Sequence, residues 1–148
     1  PASYCPATNT LVVDLPALQD LGAQADSTDA ATLAIGDNTA YSVLMSRYMM
    51  ALQHQRGAVA LDDASAALRT ACLTGVATVK MSKEVTTPDG NTVALTAGDI
   101  DEAVSGILTN GLAAGDVNGE TVPSGFSRID AFRLGVLSDT DRCFQRFP

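Results

Sequence analysis

The stretch from Asp37 to Arg56 constrains the fold most. Tyr41, Leu44 or Met45, Tyr48 and Leu52 recur at the i, i+3/4, i+7 spacing of one helical face. Asp37 or Asn38 can cap its start and Gly57 can end it. Val43, Met49, Met50 and Ala51 widen the apolar stripe, so the helix is expected to be buried on most sides. It is not a membrane span. The run Tyr41 to Leu52 is broken by Ser42, Ser46 and Arg47, short of the roughly 18–20 apolar residues a bilayer needs.

Shorter signals flank this helix. Thr10 to Leu15 is a β-branched run after a Cys-Pro turn and reads as a strand. Residues 16–38 are polar and Ala-rich. A second helix starts at Asp62-Asp63, where two acids suit the helix dipole, and runs through Leu68 and Cys72 toward Lys80. Thr87-Pro88-Asp89-Gly90 is a turn between β-branched runs, consistent with a small hairpin over 82–95. A third helix begins after Thr96, with Asp99, Asp101 and Glu102 near its first turn and Ile100, Ala103, Val104 and Ile107 on its apolar face. Gly111 to Gly125 reads as a loop. A fourth helix runs from Ser127 to Leu137 with Ile129, Phe132, Val136 and Leu137, and a tail carries Cys143 and Phe144. The fold class is α+β, mainly α, in one domain over 1–148. A chain of 148 residues with 46% apolar composition can bury a core of its own.

Charge excludes some functions. Seventeen acids against nine bases give a net charge of −8, the reverse of what phosphate neutralisation requires. The same balance disfavours binding an anionic membrane by charge alone. The three cysteines form no CxxC pair and there is one histidine, so a zinc finger or ribbon is excluded. An odd count leaves one internal disulfide plus a thiol, a partner upstream, or three buried thiols, and composition does not choose among these.

Several motifs, in order, resemble the bacterial neutral zinc metallopeptidases that carry an HExxH helix in an extracytoplasmic domain. Tyr4-Cys5-Pro6 and the Val12-Val13-Asp14-Leu15 strand resemble that family's entry. Gly36-Asp37, then Gln53 and Gly57, have the spacing of its HExxH segment. Leu68 to Gly75, with Cys72, resembles its Cys-containing helix, and Gly98 to Ala103 resembles its Gly-Asp-Ile-x-Glu-Ala helix start. Gly115-Asp116, Val122-Pro123, Ser127-Arg128 to Phe132, Gly135 and Cys143-Phe144 resemble its closing segments. The resemblance spans nearly the whole chain and implies a zincin-like helical domain with a small N-terminal β element.

The same alignment removes the chemistry. The two zinc histidines fall on Ser46 and Met50, the catalytic glutamate on Arg47 and the third ligand on Ala67. A shifted register puts them on Met45, Met49 and Ser46, which restores nothing. HExxH works because residues i and i+4 share a helical face and the glutamate activates zinc-bound water. Serine, thioether and alanine do not replace that ligand set, and an arginine cannot accept the proton. The resemblance therefore implies an inactive, cofactor-free relative: an extracytoplasmic binding or scaffolding subunit of a cell-envelope complex. Its expected partner is a protein, in a membrane-associated assembly. It further implies a Cys72–Cys143 disulfide, whose loop of about 70 residues would contribute roughly 3–4 kcal/mol. It implies a Cys5 partner upstream or on another chain. A chain that opens at Pro1 leads to the expectation of a processed product with its anchor upstream.

Other chemistries fit these residues less well. Met45, Met49 and Met50 with His54 offer soft ligands for copper(I) in the former cleft, yet methionines on an apolar helix usually fill core gaps. His54 reads as a partly exposed helix-end residue favoured by the dipole. Ser46 and His54 lie ~12 Å apart along one helix, too far for a nucleophile and its base. Gly115 to Gly119 lacks the P-loop lysine, and the acids around Asp99 lack EF-hand spacing.

Overall fold

A computed structural model describes residues 1–23, 37–57, 59–93, 103–104 and 113–148. Among these the protein is mainly helical, with two small antiparallel hairpins.

The chain opens with β1 (Ala2–Cys5) and β2 (Thr10–Val13), paired antiparallel with Ala2 opposite Val13 and Cys5 opposite Thr10. The strand read as Thr10 to Leu15 stops early for a local reason. Asp14 turns the chain by accepting a hydrogen bond from the Ala17 amide at 3.1 Å, and Pro16 sits in the first helical turn, where its missing N–H costs nothing. Leu15 thus opens a helix, α1 (Leu15–Gly22), within the stretch read as polar and Ala-rich.

The helix α2 (Asp37–Arg56) has the expected bounds, and Gly57, at φ +71°, ends it in a left-handed conformation that suits glycine. Its orientation corrects the sequence reading. Tyr48 and Leu52, taken as part of the buried stripe, are 51% and 37% exposed. The buried side is the opposite one: Thr39, Ser42, Val43, Ser46, Met50 and Gln53 are each at most 3% exposed. At 100° per residue these six fall within about 100° of one another, while Tyr41, Tyr48 and Leu52 lie across the helix from them.

The helix α3 (Ala64–Met81) is central. Asp63 caps it, accepting from the Ala66 amide at 2.7 Å, in keeping with the Asp62-Asp63 start signal. It is buried nearly all round from Ala66 to Thr78. The hairpin β3 (Val85–Thr86) and β4 (Thr92–Val93) forms at the Pro88-Asp89-Gly90 turn, with Gly90 at φ +81°. The third-helix assignment lies outside the described residues except at Ala103 and Val104, which are helical.

The helix α4 (Gly125–Leu137) is capped by Ser124, whose hydroxyl accepts from the Ser127 amide, two residues before the start read from the sequence. Leu137 corrects that reading as well, being 69% exposed. The supposed tail is a further helix, α5 (Thr140–Arg146), capped by Asp139 on the Arg142 amide at 2.9 Å.

Among the described residues the most extensive contact joins α3 to α4. A Cβ on Gly75 would stand 2.2 Å from the Phe132 carbonyl oxygen, and one on Gly135 would stand 1.8 Å from that of Cys72. Only glycine permits the two backbones to meet there. Ala71, Cys72, Leu73, Val76, Ala114, Ala131, Cys143 and Phe147 form the apolar core around this crossing. Cys72 and Cys143 are joined as a disulfide, the pair the resemblance implies, and Cys5 is a free, exposed thiol.

Candidate functional site

The positions where the resemblance places a metal centre are distributed over the buried side of α2 and over α3. Ser46 and Met50, one turn apart on α2, are 0% and 2% exposed, and Ala67 on α3 is 0% exposed. Ser46 is already engaged: its Oγ donates to the Val43 carbonyl at 2.6 Å and accepts from Arg47 Nη1 at 3.0 Å. Arg47 also donates from Nε to the Ala2 carbonyl at 2.9 Å, tying α2 to β1. Burial holds its guanidinium below the usual arginine range. Where a general base would stand, a cation bridges two elements through a neutral carbonyl and a hydroxyl.

This donor set does not fit zinc. Ala67 offers a methyl group, Met50 a thioether too soft for the role, and Ser46 a hydroxyl that donates its proton to the helix backbone. Among the described residues no three His, Cys, Asp or Glu side chains converge. Met45 and Met49 are partly buried, and Met49 packs against the apolar core. Met50 projects about 100° away from Met49 around the helix.

A second polar cluster sits further along the same helix pair, and the sequence reading missed it. Gln53, fully buried, donates from Nε2 to the Thr70 hydroxyl at 2.8 Å and to the Met49 carbonyl at 3.1 Å. Its Oε1 accepts from Arg69 Nε at 2.6 Å. Arg69, also fully buried, donates from Nη1 to the Phe147 carbonyl at 2.8 Å and from Nη2 to the Ala60 carbonyl. Every acceptor is neutral, so burial draws the guanidinium below its usual range, offset in part by the Asp63 carboxylate. One arginine thereby ties α2, the 59–63 turn, α3 and the C-terminal segment together. The ring of Phe144 lies under Arg69 at 5.8 Å and under Arg56 at 4.2 Å. The resemblance placed Gln53 and Arg69 in motifs but gave them no role. A Gln and an Arg inside helical motifs that otherwise read as apolar was the available signal.

Further along the buried seam, Thr74 and Thr78 on α3 turn their hydroxyls back to the carbonyls of Thr70 and Thr74 at 2.8 and 2.9 Å. Ser42 Oγ and Tyr41 OH have no hydrogen-bond partner among the described residues, and burial raises the Tyr41 phenol.

His54 is exposed at the end of α2, as expected, but is not isolated. Its Nδ1 lies 2.6 Å from the Tyr4 hydroxyl, which also donates to Asn9 Oδ1 at 2.9 Å. With that proton given to Asn9, the imidazole N–H donates to Tyr4. Asn9 itself holds φ +50° in the β1–β2 turn. Burial, and then the neighbouring Cys5, push the Tyr4 phenol up. Hydrogen bonds from the Thr8 side chain and backbone hold the Cys5 thiol below its usual value. The described residues thus separate the packed positions on α2 and α3 from exposed His54, which is tied to buried Tyr4, and from the disulfide between α3 and α5.

No family model matches the chain, and no curated protein or solved structure does so either.

Proposed function

We propose that the chain is a metallopeptidase-like domain without a working metal centre, acting outside the cytoplasm as a binding or scaffolding subunit of a cell-envelope protein complex. One observation carries the reading. The positions that the resemblance assigns to zinc ligands and base hold side chains committed to the framework: Ser46 to its own helix, Arg47 to Ala2, and Met50 and Ala67 to packing. A half-buried arginine in place of the glutamate would repel a dication and cannot take up a proton. Loss of ligands and base together, with the surrounding motifs kept, is what selection for a shape rather than for a reaction leaves behind. The zincin-like fold is part of the same proposal. The Cys72–Cys143 disulfide is compatible with an oxidising compartment.

Metal analysis and pull-down together test the proposal. The purified chain is expected to carry no stoichiometric zinc and to leave a broad peptide library uncut. Native protein drawn from its own cells in mild detergent is expected to bring one protein partner near one-to-one. Stoichiometric zinc with peptide cleavage that a chelator abolishes overturns the proposal. Saturable copper(I) uptake under reducing conditions, without a partner, replaces it with the ligand-binding alternative.

A further inference from the structure

The two most exposed large apolar side chains among the described residues are both on α4: Phe126 at 86% and Leu137 at 69%. They stand eleven residues apart, three turns or ~16 Å along the helix, on nearly the same face. Exposed Asp130 and Arg133 lie between them on that face. Beside it opens a groove of about 320 Å³ lined by Val104, Ile129, Phe132, Arg133, Val136 and Leu137.

We propose that this face is a self-association surface, on which two copies of the chain pack α4 against α4 antiparallel about a two-fold axis level with residues 131 and 132. The spacing carries the proposal. Setting Phe126 of one copy opposite Leu137 of the other, in antiparallel register, sets Asp130 opposite Arg133 automatically. Both pairs share one midpoint, so a single register satisfies both, twice over. That is the self-complementarity a two-fold interface requires, since one patch must serve as both surface and countersurface. Each copy supplies a phenyl ring at one end of the face and an apolar groove at the other. The ring of Phe126 enters the partner's groove beside Leu137, while the ion pairs close over the middle.

Charge on this face is self-complementary. Exposed Asp130 and Arg133 balance there, while the other arginine of α4, Arg128, is buried away from the face. The face therefore adds nothing to the repulsion between two copies that each carry −8. One pair of short helices falls at or below the standard interface size, so a dissociation constant on the order of 10–100 μM is expected. The surface is separate from the former metal positions and does not depend on what became of them.

Sedimentation velocity of the 148-residue chain over about 5 μM to 1 mM tests the proposal. A monomer–dimer shift is expected across that range. Phe126→Glu, at a side chain already in solvent, should leave the melting temperature unchanged and weaken the dimer about 30-fold. Asp130→Arg and Arg133→Asp should each weaken it by about tenfold, and an equimolar mixture of the two should recover a heterodimer. The double variant should recover the homodimer. A chain that stays monomeric to about 1 mM overturns the proposal. So does a dimer that Phe126→Glu leaves intact, or single charge variants that fail to pair on mixing.

Discussion

The two sides of α3 are packed by different means. Toward α4 and α5 the contact is apolar: Ala71, Cys72, Gly75 and Val76 meet Ala131, Gly135 and Cys143, the backbones of α3 and α4 nearly touch, and a disulfide joins α3 to α5. Toward α2 the contact is equally closed to solvent but polar: Gln53 bonds across it to Thr70 and Arg69, and Thr74, Ser42 and Ser46 are buried on the same two helices. The apolar side derives its strength from shape, where one methyl group is too much. The polar side holds because most of its hydroxyls and amides bond within the seam or back to their own helix. Burial alone does not separate the two, and neither does hydropathy. What separates them is whether the contact tolerates a change of volume or a change of polarity.

The largest expected effect breaks the apolar side. Replacing Cys72 and Cys143 by alanine should lower unfolding free energy by about 4 kcal/mol, from release of a crosslink spanning 71 residues. Urea titration of oxidised and variant protein measures it. Next comes Gly135→Ala, whose new Cβ meets the Cys72 carbonyl at 1.8 Å and forces the helices apart, at about 3 kcal/mol or more. If that variant melts like the parent, the close approach does not exist in solution.

On the polar side, Arg69→Met should cost about 2–3 kcal/mol, because Gln53 Oε1 and the carbonyls of Ala60 and Phe147 lose their donor together. Thr74→Val should cost less than about 0.5 kcal/mol, since that hydroxyl bonds only to its own helix backbone. Comparable losses for these two variants would dissolve the distinction between a cluster and a stripe of back-bonded threonines.

The smallest effect is in acid. Burial of Asp116 alone would raise its carboxyl, but hydrogen bonds from the Thr121 side chain and from the amides of Glu120, Thr121 and Gly119 outweigh it and hold the group below 3.8. A depressed folded value adds stability above the ordinary one and loses it as pH falls through the depressed one. Melting temperature should therefore drop more steeply below about pH 4 in the parent than in Asp116→Asn.

Much of the backbone was legible in the sequence because its signals are local. Asp63 and Gly57 mark helix ends through their own capping geometry, and Pro88-Asp89-Gly90 marks its turn. The facing of α2 was not legible. Its aromatic stripe suggests a buried face, but the side that is buried carries serine, threonine and glutamine instead, with Ser46 bonded within its own helix and Gln53 bonded to Thr70 and Arg69 of α3, which only the assembled pair reveals. The short helices α1 and α5 were hidden for a related reason: Asp14 and Asp139 act as caps, whereas composition reads the segments after them as loop and tail. At the candidate site, the residue types at Ser46, Arg47, Met50 and Ala67 were readable, and their commitment to Val43, Ala2 and the packed seam was not.

The bond between Cys72 and Cys143 has a topological consequence. A single backbone cut anywhere between them, in the β3–β4 hairpin or in the loop before α4, opens a covalent ring without dividing the molecule. Such a nicked chain keeps its full mass under oxidising conditions and comes apart into two polypeptides only when the bond is reduced. One cleavage within the ring would leave a scar and release nothing.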